Sequence, residues 1–296
     1  MLRTRRSFIG TCGALAFAPS ALGALGRARP RRGFEPLLGA CRSPSDGPAV
    51  AAGGGAFLEV SCQGWLVPGK SDDAFAPRLE AMRASPVPVL AANGFLPGSL
   101  KSTGPSADHD AVLANARVSF QRARQVGIKV ITFGSSGSRS LPDGYPTADA
   151  ELQLAALLAR MGPLAEREGV TVCVEPLQKR ETNFINRVSE ANRIVGAVQH
   201  PNIGITADVF HMLREDEGPR SIRDAGALIR HVHIAEKARR TAPGNDGDDF
   251  TPYLQALGDI GYAGLVSIES GWTDLGAEMP KAISTLEAQC AAVTTA

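Results

Sequence analysis

The 296-residue chain is 44% hydrophobic and 21% charged, and 31 basic against 30 acidic side chains leave a net charge of +1. Those proportions exclude a disordered chain, a polytopic membrane protein and a strongly basic nucleic-acid binder. Arg3, Arg5 and Arg6 are the only charged side chains in the first 26 residues, so removing them from +1 leaves −2 from Arg27 onward, a sign with no electrostatic attraction to phosphate backbones.

The chain opens on Thr4-Arg5-Arg6-Ser7-Phe8-Ile9, and the stretch from Phe8 to Leu25 is uncharged and broken by Pro19. A basic start, a weakly apolar middle and small residues near Gly23–Ala28 read as a signal peptide over residues 1–28, with paired arginines of the twin-arginine type. That predicts export, to a periplasm or otherwise outside the cytoplasm, of cargo that folds first. A retained anchor is the competing reading. The stretch is barely long enough to span, and Pro19 sits in its middle. Leu38-Gly39-Ala40-Cys41 imitates a lipoprotein box, but four arginines between Arg27 and Arg32 separate it from the apolar run, and a strand fits it better. Cys12 leaves with the signal. Cys41, Cys62, Cys173 and Cys290 have no metal-type spacing and require no disulfide, and Cys173 reads as a small hydrophobe in a buried strand.

Eight short, mainly apolar runs follow: Leu37–Cys41, Phe57–Cys62, Val87–Ala92, Lys129–Phe133, Val170–Glu175, Ile203–Asp208, His231–Ala235 and Leu265–Ser270. Each has the look of a parallel strand buried on both faces. Helical spacing lies between them. A very short helix is predicted at Gly47–Gly53, before an awkward Gly53-Gly54-Gly55 join. Asp108–Val126 places Val112, Leu113, Ala116, Phe120 and Ala123 on one face and stops at Gly127, and Ala148–Glu168 does the same before Gly169. Ser189–Val198 and Phe250–Ile260 complete the set. Eight strand–helix units over residues 33–293 predict a single α/β domain, a (β/α)8 TIM barrel. A doubly wound sheet competes, but no Gly-x-Gly-x-x-Gly follows an early strand.

Ionisable groups end the last four strands: Glu175, Asp208, His233 and Glu269. Packing explains such residues poorly at the ends of hydrophobic runs, and in a barrel they converge on one mouth. Singly, each has a bland explanation. Glu175 before Pro176 could be a loop carboxylate, and Asp208 could cap the next helix. Of His231 and His233, one is expected to face the inward cluster and the other to face away. Together, three carboxylates and an imidazole suit a hard or borderline divalent ion. Softer candidates for a pocket wall are Glu59, Trp65, Asn93, Phe95, Ser135, Ser136 and Arg139.

Val174-Glu175-Pro176-Leu177 with Glu181, Asp208-Val209-Phe210-His211, His231-Val232-His233-Ile234-Ala235-Glu236 with Arg239, Pro243-Gly244-Asn245-Asp246-Gly247 and Gly261-Tyr262-Ala263-Gly264 with Ser267-Ile268-Glu269 carry a family resemblance. From about Phe34 to Ala292 the chain resembles the sugar phosphate isomerase/epimerase superfamily, a xylose-isomerase-like TIM barrel. Its second half is most similar to the D-tagatose/D-psicose 3-epimerase group. It departs from that group at Gln178 and Arg180, and its first half matches loosely. The resemblance implies one divalent metal, Mn²⁺ first and Mg²⁺, Co²⁺, Ni²⁺ or Zn²⁺ otherwise, on Glu175, Asp208, His233 and Glu269. It also implies substrate contacts at Glu181, His211 and Arg239, although Arg239 beside Lys237 and Arg240 also reads as a solvated loop cation.

The reaction implied is sugar isomerisation or epimerisation. Glu175 and Glu269 act as catalytic acid and base beside a carbonyl, through a metal-bound enediolate. Three other readings stay open. A lyase or hydrolase could expel a leaving group from a keto-glycoside after the same proton loss. A nuclease of the endonuclease IV type would need more histidines than the five present. A sugar-binding protein without turnover would leave paired ligating glutamates unexplained. The expected partners are a small sugar or sugar derivative and a possible second copy of the chain, with no nucleic acid and no membrane span once the signal is removed.

Overall fold

The computed structural model describes residues 34–294; the signal segment expected over residues 1–28 lies outside the described residues. In chain order the elements are β1 (Leu37–Cys41), α1 (Gly47–Ala52), β2 (Leu58–Ser61), α2 (Asp72–Arg83), β3 (Val89–Asn93), α3 (His109–Val126), β4 (Val130–Phe133), α4 (Ser136–Arg139), α5 (Thr147–Glu168), β5 (Thr171–Val174), α6 (Val188–Val198), β6 (Ile203–Asp208), α7 (Val209–Arg214), α8 (Arg220–Ala225), β7 (Ile229–Ile234), α9 (Thr251–Asp259), β8 (Leu265–Ile268) and α10 (Leu275–Ala291). The eight strands form one closed parallel barrel in sequence order, with β1 hydrogen-bonded to β8. All eight predicted strands are present, and the expected TIM barrel is the fold.

The two longest helices missing from the sequence reading have identifiable causes. α2 buries only Phe75 and Met82 and carries Pro77 inside it, so it shows little amphipathic periodicity. α10 buries Met279, Ala282, Ile283, Leu286 and Cys290 at helical spacing, but Pro280 interrupts the pattern that announces a helix. The three-glycine join is where α1 meets α10. A Cβ on Gly53 would stand 2.5 Å from Met279 Cγ, one on Gly55 2.6 Å from Met279 Cε, and Gly54 has φ +87°. Only glycine admits both that approach and that conformation.

Inside the barrel, Phe57, Ala91, Val130 and Cys173 form a separate buried cluster, each two residues before an inward polar or charged group at the same strand. Side chains two residues apart share a strand face, so Glu59, Asn93, Thr132 and Glu175 stand above this floor toward the C-terminal mouth. Thr132 and Thr206 hydrogen-bond across the interior at 3.1 Å. The larger core lies between the strands and the ring of helices. Among the described residues no helix is long and apolar enough to cross a membrane.

Candidate metal and active site

Each strand of the second half delivers one ionisable group to the mouth. Asp208 ends β6 opposite His233 in the β6–β7 register, and Glu175 and Glu269 immediately follow β5 and β8. His233 Nδ1 lies 2.7 Å from Glu175 Oε1, 3.1 Å from Glu269 Oε2 and 3.9 Å from Asp208 Oδ2. One donor atom from each of these residues falls within 4.8 Å of the others. Gly134, just past β4, makes the position of Glu175 possible, because a Cβ there would collide with Glu175 Oε2.

Asp208 fills both roles weighed for it. Its Oδ1 accepts the His211 backbone N–H at 3.1 Å, capping α7, while its Oδ2 is buried without a hydrogen-bond partner. Its ionic contacts are long, to His211 Nε2 at 3.5 Å, Arg240 at 3.7 Å and His233 Nδ1 at 3.9 Å, and a buried carboxylate oxygen without a hydrogen bond beside two more carboxylates favours a cation among them. Three oxygen donors and one imidazole nitrogen fit a divalent ion of the hard-to-borderline class.

His231 corrects the sequence reading. Residues at i and i+2 of a strand share a face, so His231 and His233 both point into the barrel, with ring centroids 4.9 Å apart. Both bond to Glu59. His233 Nε2 is 2.9 Å from Glu59 Oε1, and His231 Nε2 and the Ser267 hydroxyl reach Glu59 Oε2 at 2.7 and 2.6 Å. Glu59, expected as one of several pocket-wall candidates, lies within β2. Its partners lie 172 to 208 residues away, and no sequence spacing reports them. An N–H at His233 Nε2 donated to Glu59 leaves Nδ1 as the free lone pair facing the three carboxylates, the arrangement that orients a metal-binding imidazole. A second grouping of donors, Cys41, Glu59 and His233, has its Glu59–His233 contact already spent on this bond.

The electrostatics follow from burial and these contacts. Burial alone would raise the Glu59 carboxyl, but the neighbouring His233 and His231 outweigh it and hold the group well below the usual carboxylate range. Burial pushes the Glu175 carboxyl up, opposed by His233 and reinforced by Glu269 and Asp208. Glu269 is moved the other way: His233 and then Arg240 overcome its burial and lower it. Burial lowers His231, whereas for His233 the carboxylates of Glu59, Glu269 and Glu175 overcome burial and raise it well above its ordinary value.

Of the residues expected to touch substrate, Glu181 and His211 are at the mouth. His211 accepts the Gln178 backbone N–H at Nδ1, and its buried Nε2 has no hydrogen-bond partner, 3.5 Å from Asp208 Oδ2. Glu181 is braced by Gln178 Nε2 at 2.8 Å. Arg239 points elsewhere, into an exposed pair with Asp246. The inward guanidinium belongs to Arg240, which donates to Glu269 Oε2 at 2.8 Å, lies 3.5 Å from Glu181 Oε1 and stacks over Phe210 at 4.6 Å. Arg240 has a left-handed φ of +54°, fixed by its N–H to Glu236 O and by Gly271 N–H to its own carbonyl. Sequence proximity cannot say which of two adjacent arginines such a turn swings inward. Glu236 holds the following loop, accepting the N–H groups of Gly244 and Asp246.

Among the softer candidates, Asn93 donates to Glu269 Oε1 at 3.1 Å. Ser135 accepts the Leu96 N–H, and the Arg139 guanidinium is fully buried. Phe95 packs in the core against Phe120 and Phe133. His109 and His200 bond to Ser102 O and to Asn202 N–H, away from the cluster.

Residues 49–289 match the model of the xylose isomerase-like TIM barrel family. The chain belongs to that family. Within it, curated relatives are similar over a limited stretch: the D-psicose 3-epimerase of Ruminiclostridium cellulolyticum is 37% identical over 36% of either chain, and the ketose 3-epimerase of Arthrobacter globiformis is 36% identical over 40% of this chain and 42% of its own. The matched segment thus spans about two fifths of those relatives. Among solved structures, the D-allulose 3-epimerase of a Methylomonas species, in complex with D-allulose, superposes with a TM-score of 0.71 at 20% identity, over 88% of this chain and 98% of that one. That likeness extends the shared fold to nearly the whole barrel.

Proposed function

We propose that this protein is a divalent-metal-dependent epimerase or isomerase of an unphosphorylated sugar, with Glu175 and Glu269 as its proton-transferring pair. The observation that carries the reading is the convergence of Glu175, Asp208, His233 and Glu269 on one point at the barrel mouth. The names of the partial relatives, D-psicose 3-epimerase and ketose 3-epimerase, support the same reaction class. Glu175, Asp208, His233 and Glu269 would hold the ion, and manganese suits that donor set. When bound, it supplies Lewis-acid stabilisation of the oxyanion that forms as a carbon beside a carbonyl loses its proton.

The remaining steps belong to the chain. Burial raises Glu175, favouring proton uptake, while His233 and Arg240 keep Glu269 ionised. Two carboxyls with affinities pushed apart are the pattern of an acid–base pair. Arriving from β5 and β8, they can serve opposite sides of a sugar carbon: one removes the proton and the other returns one. His211 Nε2 and the Arg240 guanidinium orient hydroxyls, and the apolar floor under Glu59 and Asn93 excludes water from below.

The twin-arginine-type start supports export of a folded protein. Folding around manganese first would keep copper and zinc, which such sites bind more tightly, from displacing it outside the cell. Copper or zinc recovered from the exported protein in place of manganese would overturn that part.

The main test is incubation of Mn²⁺-loaded protein with ketoses, aldoses and keto-glycosides in D₂O. Deuterium beside the carbonyl, lost in Glu175→Gln and Glu269→Gln, is the expected result. Product identity then separates epimerisation from expulsion of a leaving group. No exchange on any sugar with metal bound overturns the reading.

A further inference from the structure

A cavity of about 320 Å³ opens beside the ion-binding cluster, on the side of β1, β2 and β3, between Cys41, Ser43, Ser61, Trp65 and Asn93. It borders the site, because two groups of its inner wall touch the cluster: Asn93 Nδ2 bonds Glu269 Oε1 at 3.1 Å and Glu59 Oε1 bonds His233 Nε2 at 2.9 Å. A sugar whose reacting carbons lie at Glu175 and Glu269 therefore sends the rest of its skeleton this way or out toward Glu181.

Three features define what the cavity takes. The first is charge. Arg42, the single cation among its described lining residues, is paired with Asp46 at 2.9 Å, and Glu59 is consumed by two histidines and Ser267. No free cation remains for a phosphate or a carboxylate, so the occupant is neutral. The second is surface character. The half-buried indole of Trp65, on the turn after β2, supplies a flat apolar wall, while the Asn93 amide oxygen has no protein partner and the Ser61 hydroxyl, accepting the Gly64 N–H, keeps its own proton to donate. One apolar face amid scattered hydrogen-bonding groups matches a pyranose ring. The third is size and exit. The volume falls within the ~300–1,000 Å³ of small-molecule sites and exceeds what a three-carbon sugar tail fills. Small side chains, Ser43 and exposed Ser61, leave its outer end open.

We infer that this cavity is a subsite for a neutral glycosyl group, so that the substrate is a sugar carrying a second ring beyond its reacting carbons rather than a free monosaccharide. The inference rests on the proposed proton-transfer reaction at the cluster and names the substrate class for it.

The test compares D-fructose with isomaltulose, a fructose bearing an uncharged glucosyl group on the oxygen far from its carbonyl. Deuterium uptake and equilibrium binding are both measured on the Mn²⁺-loaded full chain. Isomaltulose is expected to exchange with at least tenfold higher kcat/KM than fructose. Trp65→Ala is expected to reduce that ratio about tenfold, and Ser43→Phe, which fills the cavity from its rim without touching the indole, to reduce it likewise. Exchange on fructose with isomaltulose neither preferred nor bound more tightly overturns the subsite and leaves the reaction standing. Binding of isomaltulose that weakens in both variants, with no exchange on either sugar, upholds the subsite and overturns the reaction. A ratio unmoved by both variants overturns the assignment of the second ring to this cavity.

Discussion

The two halves of the barrel do different work. From β5 to β8 every strand delivers one group to a common point: Glu175, Asp208, His233 and Glu269. From β1 to β4 none does. That half instead braces the cluster, through Glu59 on His233 and Asn93 on Glu269, makes room for Glu175 at Gly134, and opens the cavity beside it. One repeated architecture thus separates the groups proposed to do the chemistry from those that brace them, and each assignment can be broken by substitution.

The largest effect should come from the second half. Replacing Glu175 or Glu269 with glutamine preserves shape but removes the proton acceptor, so exchange should fall about 10²–10⁴-fold. Deuterium uptake per turnover, measured with saturating Mn²⁺, checks it. If Glu175→Gln exchanged within tenfold of the parent, the base would have to be sought elsewhere.

A first-half substitution should act on the ion before it acts on the chemistry. Glutamine at position 59 has one acceptor oxygen for three donors and turns an N–H toward His231, His233 or Ser267. Mn²⁺ affinity of Glu59→Gln should drop about 10–100-fold, the scale for losing the partner of a ligating histidine. Free Mn²⁺ counted by electron paramagnetic resonance during titration gives this without any sugar. Affinity equal to the parent's would reduce Glu59 to packing.

These halves also differed in how far the sequence revealed them. The second half was readable because a carboxylate or imidazole closing an apolar strand has no packing explanation, and four in succession point to one mouth. Strand positions followed from apolar runs of strand length, and all eight were found. Glu59 gave no comparable signal, since a lone acid inside a short strand has no visible partner until the fold brings residues 231, 233 and 267 to it. Strand periodicity places both histidines inward, against the expectation that one of them faces away. Helices α2 and α10 were hidden by internal prolines, which local pattern counts against a helix and packing tolerates here.

Acidity should expose the cluster's dependence on a bare imidazole. The surrounding carboxylates raise His233 well above its ordinary value, so without an ion its ring holds its proton to higher pH than a free imidazole does. An ion must displace that proton, and binding releases it. Apparent Mn²⁺ affinity should therefore fall about tenfold for each unit of pH decrease below the raised value, and level off above it. Calorimetry in buffers of different ionisation enthalpy counts the proton. An affinity flat from pH 5 to 8 would place the ion away from His233.

The smallest effect separates two neighbouring arginines and tests whether the mouth ends where the geometry puts it. Arg240 donates to Glu269 and faces Glu181, so it stands between the proposed proton-transferring pair and the proposed substrate contact at Glu181. Losing a charged hydrogen-bond donor there should lower kcat/KM about tenfold. Arg239 spends its charge on Asp246 in solvent, and exposed pairs of that kind contribute little. Arg239→Ala should therefore change kcat/KM by about twofold or less, while Arg240→Ala also weakens the hold on Glu269. The opposite order of effects would mean that the loop closes differently over substrate, with the turn at Arg240 rotating to bring its neighbour in. The backbone bonds from Arg240 to Glu236 and Gly271 would then have to break during each turnover, and their amide exchange rates would report it.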